Sequence, residues 1–190
     1  EPIIVNCGLA ENFKLTPEKL EASITPRTKW FFLNSPSNPT GAAYSCADYK
    51  ALAEVLEKHP HVSIFVDDVY EHIIYDGFNF VTFAEVAPQL KERTLTLNAC
   101  SKGYSMTGWR VGFAGGPMEL IKKMNMVQSQ VCTGTSIISQ WAAVAALEGD
   151  QSFLKEWVQT FQKRRDICVS MLNQTSGLEC PTPEGAFYVY

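Results

Sequence analysis

The sequence lacks the features that mark membrane, secreted and nucleic-acid-binding proteins. Its 190 residues contain no apolar run long enough to cross a bilayer, and residues 1–5 show neither an initiator Met nor the basic and then apolar pattern of a signal peptide. The charges nearly balance, with 16 Lys and Arg against 20 Asp and Glu, so the basic surplus typical of nucleic-acid binding is absent. We expect neither a membrane nor a nucleic acid as partner. We also expect that the chain begins inside a longer protein.

Cysteine is scarce and follows no pattern. The six residues lie far apart, form no CxxC pair and have no histidine at the spacing of a zinc site, so no metal site is predicted. We predict reduced, mostly buried thiols in a cytoplasmic protein. The six are Cys7, Cys46, Cys100, Cys132, Cys168 and Cys180.

Strand and helix patterns alternate along the chain, and 46% of its residues are hydrophobic, which is enough to form a core. Apolar runs predict strands at 30–34, 62–66, 94–99 and 111–115, and shorter ones within 1–10 and 185–190. Caps and helical periodicity predict helices that begin after Thr16, Ser45, Pro117 and Asp150, and one that spans 137–147. This alternation predicts an α/β fold with a largely parallel sheet.

Two burial predictions follow from these patterns. The continuous apolar run at 30–34 is typical of a strand covered on both faces. The apolar stripes of the helices after Pro117 are expected to be core, and the helix at 137–147, apolar nearly all round, to be buried in the chain or against a partner subunit.

Polar residues follow three of the predicted strands. Asn38 comes after the first strand, Asp67 and Tyr70 after the second, and Lys102 and Arg110 after the third. Taken singly, each has an ordinary explanation: a turn, a helix cap, a core aromatic or surface charges. Open α/β sheets bind ligands outside the carboxyl ends of their strands, so we expect these side chains to converge.

Together these residue types match the needs of pyridoxal phosphate. A lysine just past a buried strand can be partly desolvated, which makes its neutral amine available to hold an aldehyde. A carboxylate can keep a ring nitrogen protonated, a hydroxyl and an amide can donate to a phenolate oxygen, and an arginine can grip a phosphate.

The runs at 34–41, 67–72 and 101–112 resemble, in order, three signatures of the fold-type I, class I/II aminotransferases, and the match is closest to the bacterial aspartate aminotransferase subgroup. The resemblance implies that Lys102 forms the Schiff base and that Asp67 partners the pyridine nitrogen. It implies further that Asn38 and Tyr70 hold the ring oxygen and that Arg110 clamps the phosphate. Ser101, beside the lysine, is a further candidate for the phosphate.

The resemblance also implies a fold and a domain organisation. It implies the three-layer αβα large domain of these transferases, with a mostly parallel mixed sheet. Residues 1–180 are then the large cofactor-binding domain, incomplete at its N-terminus, and 181–190 begin the small C-terminal domain. Because groups that complete such a site lie outside the matched region, the isolated chain is expected to be inactive.

The implied reaction moves an amino group from aspartate to 2-oxoglutarate by a ping-pong mechanism in a homodimer. The residues alone leave other specificities open, such as aromatic amino acids, prephenate or alanine, and other chemistry of the same fold, such as a carbon–sulfur lyase or a decarboxylase. A non-enzyme alternative is the aminotransferase-like sensor domain of a transcription regulator.

Overall fold

A four-stranded sheet, in the order β1-β2-β3-β4, lies at the centre of the computed structural model, which describes residues 1–190. The strands are β1 (Trp30–Asn34), β2 (Ser63–Asp67), β3 (Thr94–Ala99) and β4 (Gly112–Gly115). The first three run parallel, and β4 is antiparallel to β3. The predicted α/β fold with a mostly parallel mixed sheet is therefore confirmed.

The strand register places the polar strand ends at one edge of the sheet. Asn34, the last residue of β1, lies opposite Asp67, the last residue of β2, and Asp67 lies opposite Leu97 of β3. Because β4 runs the other way, its first residue, Gly112, lies opposite Ala99 at the end of β3. The segments after β1, β2 and β3 and before β4 therefore meet at this edge.

Seven helices surround or follow the strands: α1 (Pro17–Ser23), α2 (Cys46–Glu57), α3 (Phe83–Val86), α4 (Cys100–Gly103), α5 (Met118–Val131), α6 (Ile137–Glu148) and α7 (Ser152–Asn173). Short 3-10 turns lie at Leu9–Glu11, Pro88–Arg93 and Thr107–Trp109. The predicted caps of α1 and α2 are confirmed: Thr16 accepts from the Lys19 N–H, and Ser45 and Asp48 form a reciprocal capping box.

The main core lies between α2 and one face of the sheet. Leu52 and Leu56 on α2 pack with Ile64 and Val66 on β2, and all four are almost fully buried. Alternate residues of a strand point to opposite faces, so this packing accounts for only one face of β1 and β2.

The prediction that β1 is covered on both faces is wrong for this chain. Phe31 and Leu33 are buried, whereas Trp30 and Phe32, on the other face, are 36% and 67% exposed. Their aromatic contacts on this face are with each other and with Phe65 of β2, which leave Phe32 mostly open to solvent. The sequence pattern therefore indicated a strand correctly, but its burial requires packing that this chain does not supply.

The apolar stripes of α5 and α6 are also largely exposed, whereas most of the α7 stripe is half-buried. No residue of α5 is buried, and only Ser139 and Ala143 are buried in α6, so the prediction that the α5 stripe is core is wrong within this chain. Helix α6 is not buried within the chain either, and its burial against a partner subunit stays a prediction. Helix α7 buries Arg165 and Val169 and begins at Ser152, where the carboxylate of Asp150 accepts from the backbone N–H.

Three further expectations need correction. Residues 1–10 form no strand, and 185–190 form only a single bridge, between Gly185 and Ile74, because this segment crosses neighbouring loops instead of pairing along them. All six cysteines are free thiols, but only Cys100 and Cys180 are buried.

None of the helices combines the length and the apolar character that a bilayer crossing requires.

Candidate active site

Lys102 and Tyr70 meet at the polar edge of the sheet. Lys102 lies in the one-turn helix α4 directly after β3, and Tyr70 lies in the turn after β2. The Lys102 amine is 5.8 Å from the centre of the Tyr70 ring and 5.5 Å from that of Phe187, and it forms no salt bridge. An amine held over aromatic rings without a carboxylate partner remains available to a ligand.

Asp67 presents a half-buried carboxylate that pairs with no cation. It ends β2, and its Oδ1 accepts from the Val69 N–H at 3.1 Å. Burial raises the pKa of Asp67, and the Val69 hydrogen bond opposes this shift. A cationic hydrogen-bond donor placed against this carboxylate would favour its charged form.

Asn34 connects Asp67 with the loop that carries Asn38. The Asn34 side-chain amide donates to the Asp67 carbonyl oxygen at 3.0 Å, and its Oδ1 accepts from the Asn38 N–H at 2.7 Å. The Asn38–Pro39 peptide bond is cis. Sequence reasoning missed Asn34, although its place as the polar last residue of an apolar strand was a usable signal.

Ser101 and Arg110 lie at the same edge but contact none of the other predicted site residues by hydrogen bond. Ser101 is half-buried in α4. Arg110 is exposed, adopts a left-handed backbone conformation with φ of 51°, and donates from Nη1 to the Thr107 carbonyl at 2.9 Å. Its guanidinium pairs with no carboxylate, so its remaining N–H groups can bind an anion.

Phe187 and Tyr188 are part of the site although the sequence analysis treated them as a strand. The Phe187 ring lies against the Lys102 amine, and the Tyr188 hydroxyl is hydrogen-bonded to the Tyr70 hydroxyl. Burial is the main cause that raises the pKa of Tyr70, and the hydrogen bond with the Tyr188 hydroxyl raises it further. The run of apolar and aromatic residues gave no local sign of this contact, which joins positions 118 residues apart.

The neighbouring carboxyl group, Asp68, points into the core and differs from Asp67. Its Oδ2 accepts from the Thr82 hydroxyl at 2.6 Å, whereas its Oδ1 is buried without a partner. Burial, opposed by the Thr82 hydrogen bond and reinforced by the nearby Glu71 and Asp67 carboxylates, raises the pKa of Asp68 from 3.8 to about 7. The two adjacent acids thus lie in different environments: Asp67 is half-buried at the strand end, and Asp68 is buried behind it.

Comparison with known proteins assigns the family. All of residues 1–190 match the family described as aminotransferase class I and II. The chain belongs to this aminotransferase family. The predicted family is therefore confirmed, and the polar edge of the sheet is the candidate active site of an aminotransferase chain.

Individual aminotransferases are similar over the whole chain. The chain is 61% identical over 190 residues to an aspartate aminotransferase of Rhizobium meliloti, covering all of the chain and 46% of the relative. It is 57% identical over 189 residues to an aspartate/prephenate aminotransferase of Cereibacter sphaeroides, covering 47% of that protein. The chain thus spans about half the length of the curated aminotransferases that it matches.

Solved aminotransferase structures share the fold. A crystal structure of the Rhizobium meliloti aspartate aminotransferase superposes with a TM-score of 0.98 at 61% identity, covering the whole chain and 47% of that structure. The Thermus thermophilus aspartate aminotransferase with maleate gives a TM-score of 0.90 at 40% identity, covering 98% of the chain and 48% of that structure. The aminotransferase fold expected from the sequence is confirmed.

Proposed function

We propose that the full-length protein that carries this chain is a pyridoxal phosphate-dependent aminotransferase that moves an amino group from aspartate to 2-oxoglutarate in a ping-pong cycle. The observation that carries the proposal is the unpaired Lys102 amine over the Tyr70 ring, at the same sheet edge as the half-buried, unpaired carboxylate of Asp67. The choice of aspartate is supported by the name of the Rhizobium meliloti relative.

The residues at this edge fit pyridoxal phosphate by their chemistry. Asp67 is a carboxylate whose burial is not compensated by a cation, which suits it to a protonated ring nitrogen. Lys102 would hold the aldehyde, Tyr70 and Asn38 would donate to the ring oxygen, and Arg110 would hold the phosphate. Ser101, next to the lysine, would add a hydroxyl donor to the phosphate.

When bound, pyridoxal phosphate supplies an aldehyde for the amino group and a ring that accepts the electrons left by loss of the substrate Cα proton. Asp67 would keep the ring nitrogen protonated and so strengthen this electron demand. Tyr70 and Asn38 would stabilise negative charge on the ring oxygen. Lys102, once displaced by the substrate amine, would take the proton from Cα and deliver it to the cofactor carbon.

A second specificity, for prephenate, is favoured by the Cereibacter sphaeroides relative, which is named for both substrates.

Testing the full-length protein with a panel of amino acids separates these candidate specificities. The full-length protein with pyridoxal phosphate is mixed with single amino acids, and conversion of the cofactor from its aldehyde to its amine form is followed by absorbance. Aspartate should convert it, and 2-oxoglutarate or prephenate should restore it; conversion by other amino acids and not by aspartate would contradict the proposed specificity.

The same experiment distinguishes an enzyme that transfers amino groups from the alternatives. A carbon–sulfur lyase would release product from a sulfur-containing amino acid without needing an oxo acid. A regulator domain would bind cofactor and amino acid without returning to the aldehyde form when oxo acid is added. Only an aminotransferase completes both halves of the cycle.

We also propose the domain division and cellular context that accompany this function. Residues 1–180 would belong to the large cofactor-binding domain and 181–190 to the start of the small domain, in a cytoplasmic homodimer. Six free thiols suit a reducing compartment. Light scattering of the full-length protein tests the dimer, and fractionation of cells tests the compartment; a monomer or an exported protein would contradict them.

A further inference from the structure

The hydroxyl groups of Tyr70 and Tyr188 form a hydrogen bond, and the Lys102 amine lies 5.8 Å from the centre of the Tyr70 ring. The two rings meet edge to face, with centroids 5.7 Å apart and planes at 80°. Tyr70 is only 3% exposed. The Phe187 ring packs on it edge to face, with the two ring centroids 5.4 Å apart. Tyr188 is therefore a direct neighbour of a residue that the proposed function places on the cofactor.

The backbone before Tyr188 is fixed by hydrogen bonds to two other loops. The Ala186 N–H donates to the Ile73 carbonyl at 2.8 Å, the Gly185 N–H donates to the Gly41 carbonyl at 2.9 Å, and the Tyr75 N–H donates to the Glu184 carbonyl at 3.0 Å. Tyr188 thus approaches Tyr70 from a segment that is anchored and not from a free tail.

Gly185 allows this segment to pass between its neighbours. A Cβ at this position would lie 2.7 Å from Pro36 Cγ and 2.8 Å from the Ile73 carbonyl oxygen, so a larger residue would displace the segment. The Glu184 carboxylate adds a second attachment, because it accepts from the Ala43 N–H at 2.8 Å and from Lys14 at 3.1 Å. These contacts hold Tyr188 at a defined position relative to Tyr70.

A hydroxyl group has a single hydrogen to donate but can accept two hydrogen bonds. If Tyr70 donates its hydrogen to the ring oxygen of the cofactor, the hydrogen of the Tyr188 hydroxyl must point to Tyr70. A hydroxyl that accepts a hydrogen bond becomes a stronger donor, because successive hydrogen bonds polarise one another. Tyr188 would in this way strengthen the bond that Tyr70 makes.

We propose that Tyr188 is a positioning residue that orients the Tyr70 hydroxyl and strengthens its hydrogen bond to the ring oxygen of the bound cofactor. This inference rests on the proposed function for the cofactor and goes beyond the motif residues. The other groups that face Tyr70 are Asp67, the Lys102 amine and the Phe187 ring. None of these offers a hydroxyl to Tyr70.

The test is a spectral titration of the full-length protein with pyridoxal phosphate. Tyr188→Phe should raise the midpoint pH of the colour change by about half a unit, because the ring oxygen anion loses part of its stabilisation. Tyr190→Phe is the matched control: Tyr190 lies in the same segment and packs on Phe13 with ring centroids 5.3 Å apart. Its midpoint should be unchanged.

A double-mutant cycle shows whether the effect acts through Tyr70. Tyr188→Phe should cause no further shift when Tyr70 is already replaced by Phe. An unchanged midpoint in the single Tyr188→Phe variant, or an equal shift in the Tyr70→Phe background, would overturn the proposal.

A second measurement separates failure of this inference from failure of the proposed function. If the wild-type protein with pyridoxal phosphate shows no pH-dependent colour change beyond that of the free cofactor, the proposed function fails. The coupling is then decided in the cofactor-free protein by NMR spectroscopy of tyrosines labelled at Cζ. The Tyr70 Cζ signal should shift in Tyr188→Phe and not in Tyr190→Phe, because only the first variant removes the hydrogen bond to the Tyr70 hydroxyl, and an unchanged Tyr70 signal in Tyr188→Phe would overturn the coupling.

Discussion

Gly103 lies so close to His72 that a Cβ atom on the glycine would be 2.7 Å from His72 Cδ2. This contact joins two parts of the candidate site. Gly103 ends the one-turn helix that carries Lys102, and His72 follows Asp67 and Tyr70 in the segment after β2. The small size of Gly103 therefore helps to set how closely the lysine approaches the other site residues.

Gly103→Ala should destabilise the full-length protein by about 1–3 kcal/mol, because the new methyl group overlaps the imidazole and one of them must move. Urea unfolding measures the change. Gly108→Ala is the control, since a Cβ there would meet no atom within 4 Å. If the overlap is the cause, adding His72→Ala should restore most of the lost stability; no recovery would contradict the explanation.

Asn34→Ala should lower both the affinity for pyridoxal phosphate and the stability of the folded protein. The change removes two hydrogen bonds, to the Asp67 carbonyl and from the Asn38 N–H, at a cost of about 1–3 kcal/mol. Because these bonds fix the loop of Asn38 relative to Asp67, the dissociation constant for pyridoxal phosphate should rise several-fold in an equilibrium titration.

Asn173→Ala provides a matched control for Asn34→Ala. Asn173 also makes two side-chain hydrogen bonds to backbone, donating to the Cys180 carbonyl at 2.9 Å and accepting from the Cys180 N–H at 2.8 Å. Its loss should reduce stability by a similar amount and leave cofactor affinity unchanged. Equal losses of affinity in the two variants would show that Asn34 acts only through general stability.

Local sequence signals predicted the four strands of the sheet and the caps of α1 and α2, but also two strands, within 1–10 and 185–190, that do not form. Trp30–Asn34 and Thr94–Ala99 are strands with the predicted bounds, and the cap at Ser45 is present, because such patterns depend on neighbours along the chain. The proximity of Lys102 and Tyr70 followed from the rule that ligands bind at the carboxyl ends of parallel strands.

Burial and long-range contacts could not be predicted in the same way. The apolar run of β1 predicts that Phe32 packs against other apolar residues, but it does not show whether this chain contains them. Phe32 is in fact exposed. The contact of Tyr188 with Tyr70 depends on how a distant segment crosses two loops, which no local pattern encodes. Gly103 gave no signal because its role depends on His72, 31 positions earlier in the chain, being its spatial neighbour.

The stability of Asp68→Asn relative to wild type should increase as the pH rises. The folded protein holds the pKa of Asp68 at about 7, above its ordinary value of 3.8. Between these values the unfolded chain loses the proton and the folded chain keeps it, so wild-type stability falls as pH rises from about 4 to 7 and then stays level. Asn cannot titrate, so this loss disappears.

The stability difference between Asp68→Asn and wild type should therefore grow by about 2–4 kcal/mol between pH 4 and pH 8. Urea unfolding across this range measures it. Glu85→Gln is the control, because Glu85 is an exposed carboxylate on the adjacent helix α3. Parallel stability curves for wild type and Asp68→Asn would show that Asp68 carries no raised pKa in the folded protein.

Lys102→Ala should abolish the pH-dependent colour change that the lysine–aldehyde bond gives to pyridoxal phosphate, and should slow amino-group transfer by at least about 10²–10⁴-fold, since the amine that holds the aldehyde and moves the proton is lost. Lys102→Arg keeps the charge but not the nucleophile and should likewise lack this colour change. Lys122→Ala, which removes an exposed lysine paired with Glu119 on α5, should behave as wild type. Normal turnover in Lys102→Ala would exclude the assigned role.

Asp67→Ala should bind pyridoxal phosphate more weakly and slow loss of the substrate Cα proton by about 10²–10³-fold, because the ring nitrogen loses the carboxylate that keeps it protonated. Exchange of the Cα proton with deuterium in solvent measures this step separately from turnover. The adjacent Asp68→Asn, whose side chain faces the core, should leave the exchange rate close to that of wild type.

A cofactor analogue methylated on the ring nitrogen tests the reason for the Asp67 effect. Its ring carries a permanent positive charge, so it no longer needs Asp67 to hold a proton there. The analogue should therefore recover a large part of Cα exchange in Asp67→Ala while giving no gain with wild-type protein. If exchange in Asp67→Ala stays equally slow with the analogue, Asp67 serves to position the ring and not to maintain its charge.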